Sequence, residues 1–102
     1  YNKRLELNIR LKELILGDEY NLELDLPHNI ERLTLGRNYN LPIKLNKNIK
    51  YLKTGFNFNN LIDFSNSLEE IIFGYCYNQN INFTDLCKLK RIIFGNNFWK
   101  KY

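Results

Sequence analysis

The chain has 102 residues, 44% of them hydrophobic, and its formal net charge is +4, from 15 Lys and Arg against 11 Asp and Glu. This length is typical of one domain with a continuous apolar core. No stretch reaches the ~20 apolar residues of a transmembrane helix. Basic residues mostly alternate with acidic ones, whereas a nucleic-acid-binding protein would carry a basic stripe. We therefore expect neither a membrane nor a nucleic acid as a partner.

Five glycines recur at nearly constant spacing and are the only glycines in the chain. They follow one another at intervals of 19, 19, 19 and 21 residues, and similar residues surround each one. Such an internal period is typical of a solenoid, in which every copy of the repeat forms one coil. The five positions are Gly17, Gly36, Gly55, Gly74 and Gly95.

Each copy opens with an apolar segment that ends just before its glycine. Apolar residues stand six, three and, except in the third copy, one residue before the glycine, so the last three positions alternate as in a short β-strand. We predict one strand there in every copy, and we interpret the glycine as a point where the chain bends. The copies start near Leu11, Ile30, Ile49, Leu68 and Leu89.

An aromatic residue follows each glycine by three positions, and in the first four copies asparagine comes next. We interpret the aromatic column as core and the asparagine column as amides that bond the backbone of their own or the next coil, with ligand binding as the alternative for both. These residues are Tyr20, Tyr39, Phe58, Tyr77 and Phe98, and then Asn21, Asn40, Asn59 and Asn78.

A second apolar pair completes each of the first four copies and predicts a weaker second strand. The pairs are Leu24 and Leu26, Ile43 and Leu45, Ile62 and Phe64, and Ile81 and Phe83. A copy of this length has no room for a helix on the return side. The predicted fold is therefore all-β, a parallel β-solenoid of about five coils of 19–21 residues. We expect residues 1–102 to be a single repeat array cut from a longer solenoid.

Charged residues alternate in sign between successive copies. Five residues before the glycines the order is Lys12, Glu31, Lys50, Glu69 and Lys90, and the next column reads Glu13, Arg32, Tyr51, Glu70 and Arg91. Neighbours in a parallel ladder lie about 4.8 Å apart, so this order predicts attractive cross-strand pairs. We interpret the charges as structural, with partner binding as the alternative.

Copy three differs from the others at one core position. Thr54 stands in the column that Leu16, Leu35, Phe73 and Phe94 fill elsewhere. A buried hydroxyl without a partner destabilises a protein. We therefore predict that copy three is the weakest coil.

The repeat resembles the FNIP repeat, a leucine-rich-repeat-like unit named for a Phe-Asn-x-Ile/Pro stretch. Copy two is the most similar, with Leu26-Pro27 before Ile30, then Leu35-Gly36, and Tyr39-Asn40 followed by Pro42-Ile43. The period is shorter than in the family and most of the family's prolines are missing. The resemblance implies a leucine-rich-repeat-like fold and a protein-interaction scaffold of the type found in amoebae and large DNA viruses, often joined to an F-box.

The residues of the chain offer no catalytic constellation. His28 follows Leu26-Pro27 at a predicted turn, and Cys76 and Cys87 fit no metal or redox spacing. We expect two free thiols in an intracellular, cytoplasmic protein, with a disulfide as the alternative. We predict no enzymatic activity, no cofactor, no metal and no small-molecule substrate.

The candidate site lies on the solvent side of the predicted strands. Side chains between the inward residues of parallel strands share one broad face. In copies three to five this face carries aromatic and aliphatic residues beside arginine, as interaction hot spots do. The predicted partner-binding residues are Tyr51, Phe56, Ile72, Tyr75, Arg91 and Ile93. The alternative is that the isoleucines support strand pairing or pack against a flanking segment.

We therefore interpret the chain as a non-catalytic scaffold with a protein partner. The resemblance implies a role as the substrate-recognition part of a larger adaptor, such as an F-box protein. The alternative is a structural or assembly component, such as a virion-associated repeat protein. The sequence does not set the oligomeric state.

Overall fold

In the described part of the chain, seven short strands form two parallel sheets of a solenoid. The computed structural model describes residues 11–81, residue 84 and residues 86–95. The strands are β1 Glu13–Ile15, β2 Arg32–Thr34, β3 Ile43–Lys44, β4 Tyr51–Lys53, β5 Ile62–Asp63, β6 Glu70–Ile72 and β7 Arg91–Ile93. The main sheet has the order β1-β2-β4-β6-β7, and the second sheet pairs β3 with β5. The predicted all-β parallel solenoid is confirmed.

The main sheet pairs equivalent residues of successive copies. Leu14 lies beside Leu33, Leu33 beside Leu52, and the series continues through Ile71 to Ile92. These central residues point inward, while both neighbours in each strand are more exposed. The repeat therefore aligns each column of the sequence along the array.

The second sheet is shorter than the sequence predicts. Strands form at Ile43 and Ile62, but Leu24 to Leu26 forms none, so the prediction of a second strand in copy one is wrong. Leucine lacks the β-branch of the paired isoleucines, which lowers its preference for a strand. A cleft of about 570 Å³ lies between residues 24–28 and residues 44–47, where the pairing is missing. No strand forms at Ile81, and Phe83, the second residue of that apolar pair, lies outside the described residues.

Aromatic rings stack along the centre of the core. Tyr20, Tyr39, Phe58 and Tyr77 are all buried, and successive ring centroids lie 6.2, 6.4 and 6.0 Å apart with nearly parallel planes. The prediction that this column is core is confirmed for these four residues. Phe98 lies outside the described residues.

The chain turns directly after each of the first four glycines, as the sequence suggested, but a close approach between coils is what requires glycine. No described glycine has a positive φ, and each of the first four accepts the hydrogen bond of an ordinary turn through its carbonyl. However, a Cβ at Gly36, Gly55, Gly74 or Gly95 would overlap the carbonyl oxygen of the preceding glycine. Glycine is needed because adjacent coils approach closely there, and not because the bend that follows it requires a positive φ.

The asparagine ladder is confirmed in its structural role. The backbone amides of Asn40, Asn59 and Asn78 each donate a hydrogen bond of 2.9 Å to the side-chain oxygen of the asparagine one coil earlier. Because the bonds join successive coils at one turn, the amide side chains fix both the turn and the stacking.

The Thr54 hydroxyl is not unpaired, so the reason for predicting a weak third coil is wrong. The residue is buried, and its Oγ1 accepts a hydrogen bond of 2.8 Å from the backbone amide of Gly74. The hydroxyl therefore has a partner in the next coil, so the expected cost of an unsatisfied group does not arise.

The charge ladders form the predicted pairs between coils. Lys12 lies 3.5 Å from Glu31, and Arg91 lies 2.9 Å from Glu70. Further pairs join Arg32 to Glu13 at 3.4 Å and Lys90 to Glu69 at 3.5 Å. Since most of these side chains are well exposed, each pair stabilises the fold by only about 0–1 kcal/mol.

Candidate interaction surface

Three columns of side chains define what we call the outer face. They stand four residues before, two residues before and one residue after each glycine, next to the main sheet. The first column contains Glu13, Arg32, Tyr51, Glu70 and Arg91, the second Ile15, Thr34, Lys53, Ile72 and Ile93, and the third Asp18, Arg37, Phe56 and Tyr75.

An exposed aromatic stack dominates the third column. The rings of Phe56 and Tyr75 lie 5.1 Å apart with an interplanar angle of 7°, and the side chains are 41% and 45% exposed. The Arg37 guanidinium lies 4.7 Å from the centroid of the Phe56 ring. Each group lies one coil from the next, so three successive coils supply one continuous stack.

Aliphatic residues occupy the same coils in the second column. Ile72 and Ile93 are direct neighbours in the register of the main sheet. Ile93 is 37% exposed, whereas Ile72 is half-buried. In coils four and five, β6 and β7 therefore present aliphatic side chains next to polar ones.

The first column is already engaged within the protein. The Arg32 guanidinium lies 4.1 Å from the ring centroid of half-buried Tyr51. Arg91 forms its ion pair with Glu70, which lies between Tyr51 and Arg91 in the register. Of the six predicted site residues, the structure thus brings together Phe56 with Tyr75 and Ile72 with Ile93, but not Tyr51 with Arg91.

Arg37 was not among the predicted site residues. Its position one residue after Gly36 places it in the column of Phe56 and Tyr75. The repeat register contained this signal, because equal positions in successive copies become neighbours. Hot-spot composition alone did not reveal that the arginine would cover one aromatic ring.

The outer face of coils two to five is electrostatically unbalanced. Its cations are Arg32, Arg37, Lys53 and Arg91, and its only carboxylate is that of Glu70. Arg32 and Arg91 have acidic partners, at Glu13 and Glu70. Within the described part of the chain, neither Arg37 nor Lys53 forms an ion pair, so two exposed positive charges remain beside the aromatic stack.

The described residues form neither a metal-binding cluster nor a disulfide. Across residues 11–81, 84 and 86–95, no group of three His, Cys, Asp or Glu side chains is placed to hold a metal ion. Cys76 and Cys87 are free thiols, as predicted. The same described residues contain no helix of the length and apolarity that crossing a membrane requires.

Comparison with known proteins supports the resemblance seen in the sequence. Residues 1–37 match the family model of the FNIP repeat. No curated protein matches the chain. The crystal structure of CroV588, a novel circular LRR protein, is similar at 23% sequence identity and a TM-score of 0.43. The match covers 99% of this chain but 23% of that protein, so the chain spans about a quarter of its length.

Proposed function

We propose that this FNIP-repeat solenoid is a non-catalytic protein-interaction scaffold that binds a protein partner through its outer face. The observation that carries the proposal is the exposed stack of Arg37, Phe56 and Tyr75. Aromatic residues and arginine are enriched among the residues that contribute most to protein–protein binding. The two adjoining exposed rings form a contiguous patch, and such patches mark interaction sites, whereas single exposed apolar residues are common on any surface.

The rigidity of the face supports the same function. Strand backbones and turn bonds hold the residues of the stack one coil apart, so little conformational entropy is lost on binding. Ile72 and Ile93 extend the apolar area on the neighbouring column. A role as the substrate-recognition part of an F-box adaptor belongs to this proposal, as does an intracellular, cytoplasmic location, where free thiols persist.

The test is a paired comparison of two variants in the full-length protein. Phe56→Ala/Tyr75→Ala removes the stack, whereas Leu61→Ala removes an apolar side chain that is 66% exposed and lies outside the outer face. Partners are captured by photo-crosslinking in cells, identified by mass spectrometry, purified and remixed with each variant.

We expect the double variant to lose at least tenfold in affinity for the purified partner, because hot-spot residues each contribute about 1 kcal/mol or more. Its melting temperature should stay near that of the wild type, and Leu61→Ala should bind normally. Equal loss in both variants, or undiminished binding by the double variant, contradicts the proposal. Recovery of the protein only as a regular component of particles would favour the assembly role instead.

A further inference from the structure

We propose that the occupant of the outer face is an acidic segment of a partner protein, in which carboxylates stand next to apolar side chains. This inference rests on the proposed function and adds the chemistry of the partner to it. It concerns the part of the outer face formed by coils two to five, where apolar groups and unpaired cations lie together.

Two cations without an ion pair, Arg37 and Lys53, lie beside the aromatic stack. Arg37 lies over one face of the Phe56 ring, and Tyr75 covers the other side of the stack. Lys53 stands three residues before Phe56 on the same coil and lies in register between Thr34 and Ile72. Neither neighbour carries a charge, so the Lys53 ammonium has no carboxylate beside it in its own column.

The other cations of the outer face, Arg32 and Arg91, have acidic partners. Wherever the outer face carries a carboxylate in the first column, a cation of the next coil lies within 3.4 Å of it. In the third column, Asp18 accepts a hydrogen bond of 3.2 Å from the Arg37 backbone amide but forms no ion pair with its guanidinium. Among the described cations of the outer face in coils two to five, Arg37 and Lys53 are therefore the two without an ion pair. A partner segment that supplies carboxylates at these two positions would complete the pattern, whereas a basic segment would add like charges.

The same area also exposes apolar side chains. Phe56, Tyr75 and Ile93 are each more than a third exposed, at 41%, 45% and 37%. Purely acidic ligands would leave this area in water, and purely apolar ligands would cover the two cations without pairing them, at a desolvation cost. The surface therefore matches a segment in which both residue classes alternate or adjoin.

A phage-displayed library of random dodecapeptides provides the probe. The wild-type chain, Arg37→Glu/Lys53→Glu and Phe56→Ala/Tyr75→Ala are panned in parallel. Lys47→Glu/Lys88→Glu is the matched control, because it changes the net charge equally at two exposed turn residues outside the outer face. Synthetic copies of the enriched peptides are then measured for association and dissociation rates at low and high salt.

We expect the wild type and the turn control to enrich peptides that combine Asp or Glu with large apolar residues. The charge-reversed variant should associate with them about tenfold more slowly at low salt, with a smaller difference at high salt, because surface charges act mainly on association. The variant without the aromatic stack should mainly dissociate faster. Thermal melting checks that each variant folds. If Arg37→Glu/Lys53→Glu does not fold, Lys53→Glu alone takes its place in the measurement.

Three outcomes would overturn the inference. Enriched peptides without acidic residues, or binding that charge reversal leaves unchanged, would reject the acidic partner while leaving the proposed scaffold intact. Enrichment of nothing by the wild type would reject a short segment as the occupant. A concentration-dependent dimer in analytical ultracentrifugation that Phe56→Ala/Tyr75→Ala abolishes would assign the face to a second copy of the chain. Failure of the proposed function itself would appear separately, as undiminished binding of the purified cellular partner.

Discussion

At Thr54 a single hydroxyl joins two coils of the core. Its Oγ1 accepts a hydrogen bond from the Gly74 amide in a column that is otherwise apolar. Thr54→Val keeps the shape of the side chain but removes the acceptor, so we expect the free energy of unfolding to fall by about 1 kcal/mol. Urea unfolding measures the change, and Thr34→Val on the outer face is the control. An unchanged or higher stability would show that the hydrogen bond contributes nothing.

Tyr39 illustrates the opposite case at the residue scale. Its hydroxyl is buried and has no hydrogen-bond partner among the described residues, and burial, with smaller contributions from Tyr20 and Glu23, raises the pKa of Tyr39 to about 12. The unfolded chain has the ordinary tyrosine pKa of about 10. The unfolded state therefore loses its proton first, and the stability that Tyr39 contributes below pH 10 is lost as the pH rises towards 12.

We predict that Tyr39→Phe is at least as stable as the wild type at neutral pH, because Phe58 already fills the same column with no hydroxyl. Above pH 10 the variant should lose less stability, with a difference of about 2–3 kcal/mol once the pH passes 12. Chemical unfolding at several pH values tests this. Tyr75→Phe, at an exposed position, should follow the wild type, and identical pH profiles for wild type and Tyr39→Phe would contradict the prediction.

At the scale of the elements, the glycine column allows adjacent coils to stack closely. Gly55→Ala would drive a Cβ into the Gly36 carbonyl, whereas at Gly17 no described atom lies within 4 Å of the added Cβ. We expect Gly55→Ala to destabilise the chain by about 1–3 kcal/mol or more, since backbone must move. Gly17→Ala should be neutral or slightly stabilising, because its φ is not positive.

Thermal unfolding of the two glycine variants separates the explanations. If glycine were required for its conformational freedom, Gly17→Ala and Gly55→Ala would lower the stability by similar amounts. If close stacking is the cause, only the variant inside the array is affected. The same comparison explains why the strands were predictable and the role of the glycine was not: the alternation of apolar residues is local, but the contact that excludes a Cβ comes from another coil.

At the scale of the whole molecule, the repeat converts columns of the sequence into surfaces. The molecule measures 38 × 26 × 16 Å, and its described strands form two separate sheets. The second sheet is incomplete at Leu24 and Leu26, while the main sheet runs through all five copies. Aromatic residues gather on the outer face of coils three to five, whereas coil one presents exposed Ile15 between two carboxylates, Glu13 and Asp18. The array therefore presents different surfaces at its two ends although its backbone repeats.

Much of the candidate site could be read from the sequence, because the repeat fixes which positions become neighbours. Phe56 and Tyr75 are predicted neighbours for this reason, and so are Ile72 and Ile93. The engagement of Tyr51 by Arg32 and of Arg91 by Glu70 could not be predicted in detail, since long side chains choose among several rotamers and partners. The contribution of Arg37 emerged only when its guanidinium was located over the Phe56 ring.

The sequence by itself determined the solenoid, the parallel strands, the inward aromatic column and the asparagine ladder, because each depends on spacing that recurs from copy to copy. Only the tertiary structure decided three further points: why glycine is required, that the Thr54 hydroxyl is satisfied, and which cations remain unpaired on the outer face. All three depend on distances between atoms in different coils. A periodic pattern specifies which residues face one another, but close packing and side-chain geometry decide what they do there.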